Sequence, residues 1–144
     1  MNLKFEVVFR LKKIYWFLAR PKRQGVKCIL EHDGKILMVR RRFGTSKYVF
    51  PGGAIKKNET PEMAVRREIK EDLDVTLGGV RPRGSFSQEV YHRRETLYVF
   101  VASIPIAGSK FDHEKIQSIT WFGLDELPEL TPVTKSVLAQ YRLT

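Results

Sequence analysis

The chain has 144 residues, 42% hydrophobic and 29% charged, with 26 Lys and Arg against 16 Asp and Glu, a formal net charge of +10. That length fits one domain with its own core, and the composition excludes global disorder. The sign of the charge favours anionic partners such as nucleotides, RNA, polyphosphates or acidic lipid surfaces, although a solubilising surface carries the same sign.

Residues 4–19 place Val7, Leu11, Ile14 and Leu18 at the three-or-four spacing of an amphipathic helix. Pro21 ends it, because the residue before proline is pushed out of the α region. Residues 1–24 are therefore expected to form a helix and connector, and residues 25–144 the main domain. The apolar run 14–19 is too short to span a bilayer, and Glu6, Arg10, Lys12 and Lys13 interrupt any signal-peptide core. The apolar stripe is expected to pack on the domain or on a second subunit of a homodimer. That reading is preferred to a membrane surface, although Tyr15, Trp16 and Phe17 beside Lys12, Lys13 and Arg20 suit one.

Strands follow at 26–32 and 35–41, joined by Asp33 and Gly34, two residues at ease with positive φ in a hairpin turn. The only cysteine, Cys28, lies in the apolar run of the first strand and reads as a buried structural thiol. One cysteine and no export signal point to a reducing cytoplasm. Residues 42–48 form a basic loop. Val49 and Phe50 make a short apolar stub, which Pro51, Gly52 and Gly53 break. A helix starts after Thr60, a suitable N-cap, with Pro61 in its first turn and Val65, Ile69 and Leu73 as its apolar face. Further strands are expected at 80–91, 96–103 and 116–122, and a last helix at 132–142. Strands and helices mix without regular βαβ alternation, which predicts a mixed sheet with flanking helices.

The acids concentrate in one stretch: Glu68, Glu71, Asp72 and Asp74 fall within nine residues of this basic chain. At about 100° per residue, Glu68, Glu71 and Asp72 are expected to share a face opposite Val65, Ile69 and Leu73. Carboxylates three and four apart repel one another, and a hard divalent cation removes the repulsion. A solvated charged face with Arg67 and Glu71 as an i,i+4 pair fits the same spacing. Upstream, Gly52 and Gly53 permit close backbone approach, Asn58 suits a left-handed turn, and Glu59 arrives just before the helix.

Gly53, five residues, Glu59, seven residues, then Arg67-Glu68-Ile69-Lys70-Glu71-Asp72-Leu73-Asp74-Val75 resembles the Nudix box in every spacing. Two residues depart from it: Asp72 stands where a second glutamate is usual, and Asp74 where glycine is usual. Arg20-Pro21, Leu37-Met38-Val39-Arg40, Phe50-Pro51-Gly52-Gly53 and Ile119-Thr120-Trp121-Phe122 with Glu126-Leu127-Pro128 are similar to flanking features of that family, over about residues 20–132.

The resemblance implies an α/β/α sandwich around a mixed β-sheet. It also implies Mg²⁺-dependent hydrolysis, with Mn²⁺ as a substitute, of a diphosphate linkage in a nucleoside-diphosphate-linked substrate. By resemblance Glu68 and Asp72 are metal ligands, with Gly53 contributing its carbonyl. Glu71 is a ligand or positions the attacking water, and Glu59 and Arg67 support the loop and helix. Candidate substrate contacts are Arg40, Arg42, Tyr48 and Tyr91. Tyr91, sixteen residues past Val75, resembles a mark of dinucleoside-polyphosphate hydrolases. Glu114, before the last strand, stands where a glutamate assists some members. The shorter Asp72 motivates the alternative of a non-catalytic, Nudix-like module that binds nucleotide or RNA.

Overall fold

The computed structural model of the chain describes residues 23–90, 92–105 and 110–143. The expected N-terminal helix over 4–19 and Tyr91 lie outside them. Within them the chain runs β1 (Arg23–His32), β2 (Lys35–Arg41), β3 (Gly52–Ala54), α1 (Pro61–Leu73), β4 (Arg81–Val90), β5 (Arg93–Ser103), β6 (Ile116–Gly123) and α2 (Pro132–Arg142). The strands form one mixed sheet in the order β4-β5-β1-β2-β6, with β3 paired to β1. Only the β1–β5 ladder is parallel, from Arg23 opposite Glu95 to Glu31 opposite Ser103; the other ladders are antiparallel.

The hairpin turns as its residues dictate, with φ of 53° at Asp33 and 75° at Gly34. Beyond it β1 and β2 separate. They pair only at Glu31 with Ile36 and His32 with Lys35. Residues 49–54 enter the gap. Val49 exchanges two 2.8 Å backbone hydrogen bonds with Val39, and Gly25, Val26 and Lys27 pair with Ala54, Gly53 and Gly52. The glycines that read as a break are therefore strand β3. A Cβ on Gly52 would stand 2.0 Å from the Val26 carbonyl oxygen, so only glycine brings this backbone close enough to pair. The first strand also begins earlier than expected. Arg23, Gln24 and Gly25 join it because β5 and β3 supply ladder partners for the segment that reads as a connector.

Strand alternation sends Val26, Cys28, Leu30, Leu37 and Val39 to one face, where Val65, Ile69 and Leu73 of α1 cover them. Ile29, Ile36, Met38, Val99 and Val101 face the other way, against Val137 and Leu138 of α2. Burial on both faces explains why β1 reads as a nearly continuous apolar run. Cys28 is fully buried, which pushes its thiol up to about 12, as expected of a structural cysteine. Helices on both faces of a mixed sheet give the expected sandwich. No helix among the described residues is long and apolar enough to cross a membrane.

Candidate active site

Local chemistry fixes both ends of α1. Thr60 is the N-cap, its Oγ1 accepting from the Met63 amide at 3.1 Å, with Pro61 in the first turn. Asp74 closes the helix at φ 55° and ψ 37°, the left-handed conformation usually given to glycine. Its amide donates to the Lys70 carbonyl at 3.1 Å, and its carboxylate accepts from Lys70 Nζ at 2.9 Å. Ahead of the helix, Asn58 takes φ 67°, the left-handed turn expected of it.

Arg67 ties this loop to the helix. Its Nε donates to Glu59 Oε2 at 2.7 Å and its Nη2 to Glu59 Oε1 at 3.0 Å, a two-pronged fit of guanidinium to carboxylate. The same guanidinium reaches the Ala54 carbonyl at 3.0 Å, Glu68 Oε1 at 2.9 Å and Glu71 Oε2 at 3.5 Å. Glu59 also accepts from the Lys56 amide at 2.9 Å. Hydrogen bonds from Arg67, and then from that amide, hold its carboxyl down at about 2. Glu59 and Arg67 thus link the loop before α1 to the helix.

Glu68 lies directly against Gly53. A Cβ on Gly53 would come within 2.4 Å of the Glu68 carboxyl carbon, so the glycine is the space in which that carboxylate sits. Glu71 extends outward, with 46% of its side chain exposed.

Asp72 departs from expectation. It is 1% exposed rather than on an open face opposite the apolar stripe. Seven residues make nearly two full turns, so Asp72 lies only about 20° around the helix from buried Val65. Arg41 Nη2 stands 3.5 Å from its Oδ2 and Lys115 Nζ 3.8 Å from its Oδ1. Oδ1 is buried and has no hydrogen-bond partner. Arg41 also donates to the Gly52 carbonyl at 2.8 Å, and the Asp72 carbonyl accepts from the Asp112 amide at 2.8 Å. A cleft of about 480 Å³ opens at this end of the helix, lined by Lys70, Glu71, Asp72, Lys110, Asp112 and His113.

Among the described residues no three Asp, Glu, His or Cys side chains converge as a ready metal cage. Mg²⁺ does not require one, since it keeps several waters and takes one or two carboxylates plus substrate phosphate oxygens. The donors here suit such an ion. Glu68 fills the hollow over Gly53, and Asp72 offers a buried oxygen that accepts no hydrogen bond.

The expected substrate contacts are dispersed. Arg40 stacks its guanidinium 4.6 Å from the centre of the Tyr48 ring, and the Tyr48 hydroxyl accepts from Thr120 at 3.0 Å. This pair sits on the α2 face of the sheet, since Tyr48 packs with the cluster containing Met38 and Phe122. Arg42 is bound to backbone, its Nε to the His113 carbonyl and its amide to the Lys115 carbonyl at 3.1 Å. Glu114 is exposed, and its amide donates to Asp112 Oδ1 at 3.0 Å.

Three further basic residues stand at the site, of which the sequence pointed only to Arg41, as one of the basic run 40–42 that could contact phosphates. Strand alternation separates Arg41 from Arg40 and puts it on the face of Leu37 and Val39. Lys115 reaches Asp72 from the loop before β6, which no spacing signals. Lys27 is half-buried on β1, with Nζ donating to the Phe50 carbonyl at 3.3 Å. Burial and then Arg41 bring its amine down to about 8, against the opposing pull of Glu95, Glu68 and Asp72.

A NUDIX domain model matches residues 21–141. The NAD-capped RNA hydrolase NudC of Vibrio atlanticus is 29% identical over 110 residues, covering 74% of this chain and 40% of that protein. The ADP-ribose pyrophosphatase of Methanocaldococcus jannaschii is 28% identical over 120 residues, covering 81% of this chain and 71% of the relative. This chain thus spans less than half of the NudC relative and about seven-tenths of the pyrophosphatase. Among solved structures, a MutT NUDIX hydrolase from Burkholderia pseudomallei superposes with a TM-score of 0.75 at 25% identity, over 86% of this chain and 99% of that one. The match of the domain model over nearly the whole chain, on a sandwich with Glu68 seated over Gly53, shows that this chain belongs to the NUDIX family.

Proposed function

We propose that the chain is a hydrolase that cleaves a diphosphate linkage in a nucleoside-diphosphate-linked substrate, with Mg²⁺ held by Glu68, Asp72, Glu71 and the Gly53 carbonyl. The observation that carries this reading is the Asp72 carboxylate. It is 1% exposed, with one oxygen lacking any hydrogen-bond partner. Lys115 Nζ, at 3.8 Å and half exposed, lies beyond hydrogen-bond reach of that oxygen, so a buried carboxylate with one oxygen free of any hydrogen bond, beside Glu68, fits a site that receives a further cation. When bound, the ion supplies neutralising charge for phosphate oxygens.

The chain's own residues supply the rest. Arg67 holds the loop 54–59 and the carboxylates of Glu59, Glu68 and Glu71 in one arrangement before substrate arrives. Such preorganisation lowers the reorganisation needed at reaction. Glu71, exposed at the mouth, is the acceptor best placed to orient a water toward phosphorus and take its proton. Arg41 and Lys115 bracket Asp72 and place positive charge where phosphate oxygens arrive. The names of the NudC and ADP-ribose pyrophosphatase relatives support a nucleotide-type substrate, RNA-linked nucleotides included.

The test is a hydrolysis panel with Mg²⁺ and with Mn²⁺, over nucleoside triphosphates, dinucleoside polyphosphates, ADP-ribose, nucleotide sugars and 5′-capped or triphosphorylated RNA. Metal-dependent release of nucleoside monophosphate or pyrophosphate from at least one substrate is expected. Tight nucleotide binding with no turnover of any substrate would replace the hydrolase with a binding module.

A further inference from the structure

The sheet ends in two edges, β4 and β6, and the chain guards them differently. At the β4 edge Pro82 lacks an amide, the ladder to β5 shifts register between Pro82 and Ser85, and Arg81, Arg83 and Glu89 put charge along the strand. Helix α2 also packs against β4. Such features keep an edge from pairing with another chain. The β6 edge has only one irregularity, at its start, where Gln117 is extra between the partners of Arg40 and Arg41. Its sequence over Ile116–Gly123 holds no charged residue and no proline, and it pairs with β2 in regular register from Ser118 to Gly123.

The register shows which backbone groups of β6 face outward. Val39 uses both its amide and its carbonyl on Val49, on the side of β2 away from β6. Ile119, its partner across the ladder, is therefore in a non-hydrogen-bonded pair, and its own amide and carbonyl point away from β2. Trp121, opposite Leu37, repeats that orientation two residues on. Among the described residues β6 has no ladder beyond β2, and no turn or loop backbone bonds to Ile119 or Trp121. Their side chains are only partly buried, on the sheet face of Leu37 and Val39.

We propose that β6 is a dimerisation edge, on which a second copy of this chain lays its own β6 antiparallel and joins the two sheets into one. The outward residues are spaced for this. With the two-fold axis at Thr120, Ile119 of each copy falls opposite Trp121 of the other, and their amides and carbonyls exchange hydrogen bonds. The same register sets Phe122 against Ser118 and opposes no like charges along the strand. Just beyond the strand ends it directs Lys115 of one copy toward Asp125 of the other, a pair of opposite sign. An unrelated extended peptide meets the edge without that self-complementarity. Pairing through one strand buries less than the ~1,200–2,000 Å² of stable interfaces, so this dimer forms at high concentration and dissociates on dilution.

The test is analytical sedimentation of the full chain from ~10 µM to ~1 mM, with residue-resolved amide hydrogen exchange at the dilute and concentrated ends. The mass is expected to rise from the 16.7 kDa of one chain toward twice that value. Exchange at the Ile119 and Trp121 amides should slow by about tenfold or more as the dimer fills, whereas the Thr120 amide, which faces β2, should change little. Thr120→Lys places two like charges at the axis, and Ile119→Pro removes an outward amide that β2 does not use. Each should lower the association constant by about tenfold or more, with a thermal melt showing that the variant is folded. If either fails to fold, exchange in the native chain decides alone. A single-chain mass at every concentration overturns the proposal, including the case in which residues 1–22 of the same chain protect the edge amides. A dimer in which the Ile119 and Trp121 amides exchange as fast as in the monomer uses another face and overturns it too.

Discussion

Arg67 and Glu59 hold the loop before α1 through paired hydrogen bonds of 2.7 and 3.0 Å. Because Glu59 is held at about 2 in the folded chain and titrates near 4.5 when unperturbed, its ionised form is favoured by folding. The stability it contributes is complete above pH about 4.5 and is lost as pH falls toward about 2. Acid unfolding of the native chain and of Glu59→Gln should therefore differ most near neutrality and converge through that window. A gap independent of pH would remove Glu59 from the charge network. A supporting role for Glu59 and Arg67 is what the resemblance implied, and their link between loop and helix is compatible with it. The burial of Asp72 was present in that spacing as well, since seven residues return a helix to the same face. What the sequence withheld is the identity of its neighbours, because Arg41 and Lys115 lie 31 and 43 positions away in the chain.

At the scale of elements, the parts whose causes are local matched expectation most closely. Thr60 and Pro61 start α1, Thr131 and Pro132 start α2, and Asp33 with Gly34 closes the first hairpin. Each depends on residues within one turn of the chain. Strand β3 was misread because glycine and proline are poor strand residues in isolation, while here the split between β1 and β2 supplies partners and demands the missing side chains. At the other end of α1, Asp74 holds a left-handed conformation at φ 55° that glycine adopts without steric cost. Asp74→Gly gives up one exposed contact with Lys70 and relieves that backbone. It should raise Tm by roughly 1–3 °C in a thermal melt. A lower Tm would show that the Lys70 contact outweighs the backbone cost.

For the whole molecule, the sheet divides the work between its faces and the gap in its middle. Helix α1 buries one face and brings its acids to the gap, where β3 presents Gly53 to Glu68. Arg41 enters the same gap from β2, and Lys27 from β1. The sequence made the family, the sandwich and the acids legible. The convergence of separate basic residues on one carboxylate is a product of strand order, which no local pattern encodes. With a net charge of +10 the molecule attracts polyanions over distances that salt screens. The kcat/KM on a nucleotide substrate should therefore fall by about tenfold between about 0.05 M and about 0.5 M salt. A flat salt profile would mean that the excess charge lies away from the approach to the site.

In the proposed function the acids of α1 perform hydrolysis rather than decorate a surface. Glu71 tests it most directly, since its exposed side chain can be changed without disturbing the core. The measurement is turnover of the best-cleaved nucleotide at saturating Mg²⁺ by the native chain and by Glu71→Gln, with thermal melts of both. A loss of about a hundredfold or more in kcat with Tm essentially unchanged is expected. Equal turnover in the two proteins would contradict it.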